Sequence, residues 1–268
     1  MDRTLRLGVV TDLHHGPDRG SKMGSRAIPL LRAALEHFER ARVDLVVDLG
    51  DRINNAGSPQ DGDARTDELR LTREVAEAFA ACAVPRVHLT GNHDVVHLSR
   101  AEAIAGLGGM TGSRRLSLKG TDLIFWDADV TPADEGFRFS DADLAWLEAA
   151  LADGTDPAIV FTHIPFDDGS MVGNPYFESR YAGYGTYRNG DAARAIVRRS
   201  DRVRLCLAGH THWFAFNRIG STAHVTLPSL TDSCHTPGEP EAASAMVSVG
   251  DRLVVDVAGA RPVRLELG

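Results

Sequence analysis

Histidine, aspartate and asparagine recur in this sequence in short motifs that share one chemistry. Imidazole nitrogens and carboxylate or amide oxygens are common ligands of transition-metal ions. The motifs supply seven side chains of these types: Asp12, His14, Asp51, Asn92, His163, His210 and His212. Because one tetrahedral ion takes about four ligands, seven converging side chains suit a pair of ions. Paired ions catalyse hydrolysis by in-line displacement, and a carboxylate with two oxygens is the natural bridge between them.

The spacing within the motifs is compatible with such convergence. Asp12 and His14 are separated by one residue, as are His210 and His212. Alternate side chains of an extended chain point to the same side, so we expect each pair to enter one site together. Glycine precedes three of the motifs, at Gly50, Gly91 and Gly209. A glycine there can adopt backbone angles that other residues disfavour, or allow a close approach to the site.

Each motif follows an apolar run of strand length. These runs predict strands at residues 5–10, 44–49, 86–90, 158–161 and 203–208. Helical patterns occupy residues 27–40, 67–81, 99–106, 141–151 and 191–199. The alternation is typical of an α/β protein, in which ligands bind at the carboxyl ends of strands. Alternating runs at 213–219, 224–227, 245–249 and 253–257 predict antiparallel hairpins, and the absence of a repeat or linker predicts one domain over 1–268.

The composition excludes several classes of function. The 268 residues include 29 Lys and Arg against 37 Asp and Glu, a formal net charge of -8. We therefore expect no nucleic-acid polymer and no anionic membrane as partner. The first apolar run is interrupted at Thr11 and Asp12, which predicts neither a signal peptide nor a membrane span and favours a cytoplasmic location. Three scattered cysteines predict no disulfide framework and no thiolate zinc site, with Cys82 and Cys206 as small buried apolar residues.

The motifs together resemble those of the calcineurin-like metallophosphoesterases. That family has the pattern D-x-H, G-D, G-N-H-D/E, H and G-H-x-H, and every part is present here in order, over roughly residues 5–215. The resemblance is closest to the branch that contains bacterial cyclic-nucleotide and other phosphodiesterases. It implies a four-layer α/β/β/α sandwich of two mixed sheets flanked by helices.

The resemblance also implies roles for the individual residues. It assigns Asp12, His14, Asp51 and His212 to one metal ion. It assigns Asp51, as the bridge, with Asn92, His163 and His210 to the other. His93 would act as general acid toward the leaving oxygen, and Asp94 would orient the ring of His93. The ions would be divalent or of mixed valence, with Mn, Fe or Zn favoured, and they would make the site cationic within an acidic protein.

The expected activity is hydrolysis of a small phosphodiester, such as a cyclic nucleotide, by in-line attack of metal-bound hydroxide. A phosphomonoesterase or a nucleotide-diphosphate hydrolase is the near alternative, because the motifs bind phosphoryl oxygens common to all three. A metal-dependent amidohydrolase fits less well, because its H-x-H motif lies on the first strand and here it comes late. A non-catalytic binding scaffold would lack a ligand or His93, and none is missing. A homo-oligomer stays an open alternative.

Other residues also leave alternatives open. Arg52 follows the expected bridge and has two interpretations, as a phosphate contact or as the partner of a carboxylate. Three histidines, His15, His224 and His235, lie where they could approach a site, whereas His37, His88 and His97 are interpreted as structural. Residues 165–189 hold all four tyrosines and begin soon after His163. A long loop of this kind is a substrate lid, an Ω-loop packed on its own aromatics, or an interface.

Overall fold

The computed structural model describes residues 4–55 and 63–267, which form two mixed β-sheets packed face to face. The first sheet has the order β13-β12-β11-β1-β2-β3-β4. Its strands are β1 (Leu5–Val10), β2 (Leu45–Asp48), β3 (Arg86–His88), β4 (Met110–Thr111), β11 (Ser244–Val249), β12 (Leu253–Ala258) and β13 (Val263–Leu267). The second has the order β5-β6-β7-β8-β10-β9. Its strands are β5 (Arg114–Leu118), β6 (Thr121–Phe125), β7 (Ala158–Phe161), β8 (Val203–Ala208), β9 (Ala215–Ile219) and β10 (Thr222–Thr226).

The main hydrophobic core lies between the two sheets. Buried side chains of β1 and β2, such as Leu7 and Val47, belong to one cluster with Phe161 of β7 and Leu207 of β8. Alternate residues of these strands point to the outer faces, where side chains such as Val160 belong to other clusters. Each sheet is therefore buried on both faces at its centre, which explains the continuous apolar runs of its parallel strands.

Helices cover the outer faces. They are α1 (Ala27–Arg40), α2 (Ala64–Ala80), α3 (Arg100–Ile104), α4 (Asp141–Ala152) and α5 (Gly190–Ser200). Phe38 of α1 and Phe79 of α2 pack on the first sheet, and Leu147 of α4 and Val197 of α5 pack on the second. The result is the four-layer α/β/β/α sandwich that the resemblance implies, so the predicted fold is confirmed. None of the described helices is both long and apolar enough to cross a membrane.

Most of the predicted elements are present, with changes at their ends. The predicted strands 5–10, 158–161 and 203–208 match β1, β7 and β8, whereas β2 and β3 are shorter than predicted. Helix α2 begins at Ala64 rather than at residue 67, and α3 ends two residues earlier than predicted. The runs after His212 do form antiparallel pairs, β9 with β10 and β11 with β12.

The sequence patterns miss the hairpin of β5 and β6, and also β4 and β13. Polar residues interrupt the apolar pattern of the hairpin, because Asp122 stands inside β6 and Arg115 inside β5. Asp122 is buried because its carboxylate forms ion pairs with Arg115 at 3.1 Å and with Arg202 at 2.6 Å. Paired buried charges of this kind do not follow the binary pattern from which strands are predicted.

Candidate metal centre

The seven expected ligands converge at the carboxyl ends of strands from both sheets. The loops after β1, β2 and β3 supply the residues of the first sheet, and those after β7 and β8 supply the residues of the second. The side chains form two groups. Asp12, His14, Asp51 and His212 present ligand atoms within 4.8 Å of one another, and so do Asp51, His163 and His210. Asn92 Oδ1 lies 3.3 Å from His163 Nε2, beside the second group, and Asp51 is common to both.

The backbone at these ligands is unusual. Five of the seven have a positive φ, namely Asp12 at 51°, His14 at 45°, Asp51 at 56°, His210 at 71° and His212 at 59°. Residues with a Cβ rarely adopt this left-handed conformation, and it concentrates at functional sites. Asp12 and His14 do enter one group together as expected, but the extended backbone on which that expectation rested is wrong. The strands end before the motifs, and left-handed turns then direct His212 to the first group and His210 to the second.

Two glycines are required by close contacts with the ligand loops. A Cβ on Gly91 would lie 2.2 Å from the backbone nitrogen of Asp51, and one on Gly209 would lie 2.0 Å from Oγ1 of Thr11. The first neighbour is backbone, and Oγ1 of Thr11 is held in place by its hydrogen bond to Asp12 Oδ2 at 2.7 Å. The loops after β3 and β8 can therefore reach the ligands only because these positions have no side chain.

The atoms of the first group fit a metal ion of the transition series. His14 Nε2 and His212 Nε2 lie 2.8 Å apart, and they lie 3.8 and 3.4 Å from Asp12 Oδ1. Among the described residues, this buried Oδ1 has no hydrogen-bond partner. Burial and the charge of Lys22 lower the pKa of His14, so its imidazole is neutral and keeps a lone pair. Facing imidazoles with an orphaned carboxylate oxygen form the mixed N/O donor set that such ions accept.

The second group has its histidines fixed by backbone carbonyls. His163 Nδ1 donates to Leu49 O at 3.0 Å, which leaves its Nε2 for the site, 3.4 Å from Asp51 Oδ1. His210 Nε2 donates to Tyr184 O at 2.8 Å, which leaves its Nδ1 with the lone pair. Burial alone would raise the pKa of Asp51, but the charge and hydrogen bond of the neighbouring His163 hold it well below its usual value. Fixed tautomers around an ionised carboxylate are typical of metal-binding histidines.

Asp232 is a residue of the site that the sequence patterns miss. Its Oδ2 accepts hydrogen bonds from His212 Nδ1 at 2.7 Å and from the Tyr176 hydroxyl at 2.6 Å. Although burial acts against ionisation, the hydrogen bond and charge of His212 hold the pKa of Asp232 far below its usual value. No spacing relates Asp232 to the motifs, because it lies in an irregular segment between β10 and β11.

His93 faces the cavity, but its contacts differ from those expected. Its Nδ1 pairs with Asn55 Oδ1, and its Nε2 lies 3.1 Å from Lys22 Nζ. Burial and the nearby Lys22 lower the pKa of His93 to about 3. The ring is therefore neutral, with Nε2 accepting from the lysine and Nδ1 donating to the amide oxygen. Neither Asn55 nor Lys22 belongs to the motifs that predicted the site.

The role expected for Asp94 is corrected by the structure. Its carboxylate accepts from the backbone N–H groups of Gly91, Asp51 and Arg52, at 2.9, 3.1 and 2.8 Å. His93 and Asp94 begin a short 3-10 helix, His93–Val95, so their side chains point in different directions. Asp94 therefore holds together the loops that follow β2 and β3, and Asn55 orients the ring of His93.

Arg52 is a structural residue. It is fully buried, and its guanidinium pairs with Asp48 at 3.0 Å and with Asp94 at 2.9 Å. The interpretation as a phosphate contact is therefore wrong. The buried His88 pairs through Nδ1 with the same Asp48 at 2.8 Å, in agreement with its structural interpretation.

The remaining histidines lie outside the two groups. His97 pairs with Glu68 at 2.7 Å and His15 with Glu74 at 2.6 Å. His224 packs edge-on against Phe166, with 5.3 Å between the ring centroids. His37 and His235 are described by the structure and belong to neither ligand group.

A cavity of about 990 Å³ adjoins the ligands. Its walls include Asp51, Asn92, His93, His210 and His212 on one side. The loop 165–189 contributes Tyr176, Phe177, Arg180, Tyr181 and Tyr184. This loop also contacts the ligands directly, since the ring centroid of Phe177 lies 5.0 Å from that of His210. The aromatic loop thus borders the space in front of the two groups.

Comparisons with known proteins agree with this geometry. The sequence model described as Calcineurin-like phosphoesterase matches residues 5–214. No curated protein matches the chain in sequence. Among solved structures, a dimetal phosphatase from Danio rerio superposes with a TM-score of 0.75 at 18% identity, over 98% of this chain and 99% of its own.

Two further solved structures share the fold. The purple acid phosphatase PPD1 from yellow lupin (Lupinus luteus) superposes with a TM-score of 0.66 at 11% identity, over 96% of this chain and 51% of its own. A putative 5'-nucleotidase from Staphylococcus aureus superposes with a TM-score of 0.57 at 14% identity, over 98% of this chain and 54% of its own. Because the family's sequence model covers most of the chain and the ligand groups are present, this protein belongs to the calcineurin-like phosphoesterase family.

Proposed function

We propose that this protein is a phosphodiesterase that hydrolyses a small phosphodiester at two metal ions. The observation that carries the proposal is the pair of buried ligand groups that share Asp51. In the proposed centre, Asp12, His14, Asp51 and His212 bind one ion, and Asp51, Asn92, His163 and His210 bind the other. When bound, such ions stabilise the charge on the phosphoryl oxygens during an in-line displacement. Mn, Fe and Zn are the proposed metals, because the ligands mix imidazole with carboxylate.

The chain's own residues position the substrate and move a proton. His93 stands at the cavity wall with its ring fixed by Asn55. In the substrate complex we assign to His93 Nε2 the donation of a proton to the leaving oxygen. The negative phosphoryl group favours the imidazolium form of His93, which counters the effect of burial. Asp94 acts on this step only through the loops that it holds together.

The cavity supports a substrate with groups on both sides of phosphorus. Its volume of about 990 Å³ exceeds what a phosphoryl group alone needs, and its wall includes aromatic side chains of the loop 165–189. We propose that this loop is a substrate lid on which an aromatic group of the diester stacks. Phosphomonoester hydrolysis is the second candidate function, and the fold shared with the lupin phosphatase and the putative nucleotidase favours it.

A hydrolysis panel distinguishes these substrate classes. The metal-free protein is loaded with Mn, Fe or Zn and assayed with bis(4-nitrophenyl) phosphate, 4-nitrophenyl phosphate, cyclic nucleotides and dinucleotide diphosphates. We expect the highest kcat/KM for a diester. A higher kcat/KM for the monoester with every metal would replace the diester proposal by the second candidate.

The acidic composition supports a compact substrate. With a net charge of -8, only the immediate surroundings of the ions attract an anion, so we propose no nucleic-acid polymer and no membrane as partner. We further propose that residues 1–268 act as one metallophosphoesterase domain in the cytoplasm. Size-exclusion chromatography with light scattering tests whether the protein forms a homo-oligomer.

A further inference from the structure

Lys22 lies beside the ligand groups on a segment whose backbone is firmly held. The backbone groups of Arg19 and Lys22 form two reciprocal hydrogen bonds, of 2.9 and 3.0 Å, which close a tight turn. This turn is tied to the segment before β11, because Met23 N donates to Thr231 O at 3.0 Å. The position of Lys22 is therefore determined by the fold rather than by a free loop.

The ammonium group of Lys22 points into the cavity. Its Nζ donates to His93 Nε2 at 3.1 Å, and the side chain lines the same cavity as Asp51 and His212. Within residues 4–55 and 63–267, no carboxylate oxygen forms an ion pair with this nitrogen at 4.0 Å or less. The other lysine of the chain, Lys119, pairs with Asp44 at 2.7 Å. Lys22 is thus a cation without an anionic partner in contact among the described residues.

The charges around Lys22 indicate where an anion that pairs with its ammonium group would come from. Burial lowers the pKa of Lys22, whereas the carboxylates of Asp51, Asp12 and Asp232 favour its charged form at longer range. Two of these, Asp51 and Asp12, belong to the ligand groups, so bound metal ions would neutralise them. A desolvated ammonium group is costly unless it is paired. Asp232 already accepts hydrogen bonds from His212 and Tyr176, so in the loaded site the pairing anion would come from the cavity, next to His93.

We propose that Lys22 is a catalytic residue that binds a non-bridging oxygen of the substrate's phosphoryl group, beside His93. This role for Lys22 rests on the proposed function, because hydrolysis at two metal ions requires the phosphoryl group to lie in front of both ligand groups. An ammonium group suits this role as a compact positive charge with three donors. In the substrate complex the Lys22 ammonium group donates to the oxyanion instead of to His93 Nε2, which then carries the proton for the leaving oxygen. The recognised chemistry is a tetrahedral phosphoryl oxyanion, of which inorganic phosphate is the simplest form.

The test compares Lys22→Met and Lys22→Gln with Lys22→Arg and with the control Lys119→Met. Each variant is loaded with Mn, its metal content is measured, and binding of inorganic phosphate is followed by calorimetry. Loss of a charge-assisted hydrogen bond predicts about 10- to 100-fold weaker phosphate binding in both neutral variants. Lys22→Arg, which retains the charge, should bind phosphate within about fivefold of the parent. Lys119→Met should bind phosphate as the parent does.

Hydrolysis of bis(4-nitrophenyl) phosphate by the parent separates this proposal from the proposed function. If the parent binds phosphate through Lys22 but hydrolyses none of the panel esters, the proposed function is wrong and the oxyanion contact stands. If the parent is active and both neutral variants bind phosphate and turn over as it does, the role of Lys22 is wrong. That role is also wrong if the parent binds no phosphate, or if the neutral variants lose metal, since the side chain of Lys22 would then support the ligand loops instead.

Discussion

The substitution Asp232→Asn tests whether the first ligand group binds a metal ion and whether Asp232 strengthens that binding through His212. Asp232 Oδ2 accepts a hydrogen bond from His212 Nδ1 at 2.7 Å, and His212 Nε2 lies 3.4 Å from Asp12 Oδ1. A carboxylate behind a histidine fixes its tautomer and makes it a stronger metal ligand. The substitution keeps the size of the side chain and an oxygen that can accept from His212, but it removes the negative charge.

The expected magnitude follows from that single contact. A hydrogen bond to a charged group contributes about 1.5–3 kcal/mol, and about 1.4 kcal/mol corresponds to a tenfold change in affinity. Asp232→Asn should therefore weaken binding of one ion by about 10- to 100-fold, the range typical of residues behind metal ligands. Because His212 belongs only to the first group, the ion in the second group should be retained. At intermediate metal concentrations the variant should contain one ion for each chain.

Metal titration of the purified protein measures this effect. The affinities of both ions are determined by competition with a chelator, and the melting temperature is recorded to detect a change in stability. The control is Asp256→Asn, which removes a carboxylate that pairs with Arg264 on the surface of β12. If the variant lost both ions equally, or bound both as tightly as the parent, Asp232 would not act on one ion through His212.

Three further substitutions test other parts of the site. Asp51→Asn should lower turnover to background and reduce the bound metal, measured by elemental analysis, because a neutral amide is a poor bridge between ions; full turnover would exclude Asp51 as the shared ligand. His93→Ala should keep both ions and lower kcat by about 10²- to 10⁴-fold, most for esters with poor leaving groups; loss of metal would make His93 a ligand instead. Arg52→Met should lower the free energy of unfolding in urea by about 3–5 kcal/mol, because it leaves the buried Asp48 and Asp94 without their partner. An unchanged urea midpoint would show that this pair does not stabilise the fold.

The motifs predicted which side chains converge because each motif follows a buried strand. Runs such as 203–208 are long, apolar and followed by glycine, so both the strand and the position of the residues after it are determined locally. Parallel strands then bring these ends to one edge, as the pairing of β1 with β2 and of β7 with β8 shows. A residue that directly follows such a strand can therefore be placed in the site from the sequence alone.

The residues around the ligands could not be predicted in the same way. Lys22, Asn55 and Asp232 lie in irregular segments, and they reach the site through tertiary contacts rather than through the end of a strand. For Asp94 the prediction was wrong in another way. Its place next to His93 in the sequence suggested a contact with the His93 ring that the structure does not have. One turn of 3-10 helix separates the two side chains, and no local pattern reveals to which partner each one turns.

The left-handed backbone of the ligand loops connects the fold to the chemistry of the site. A non-glycine residue in this conformation costs on the order of 1–3 kcal/mol, and it persists only where surrounding contacts determine it. Such contacts are present at Asp12, whose N–H donates to Gly50 O at 3.0 Å and whose carbonyl accepts from Ser229 Oγ at 2.7 Å. At His14, the N–H donates to Asp51 O at 2.9 Å, so the strained loops after β1 and β2 support each other. Contacts within the protein itself thus hold the carboxylates and imidazoles close together, and a site fixed in this way pays little to order its loops when it binds a ligand.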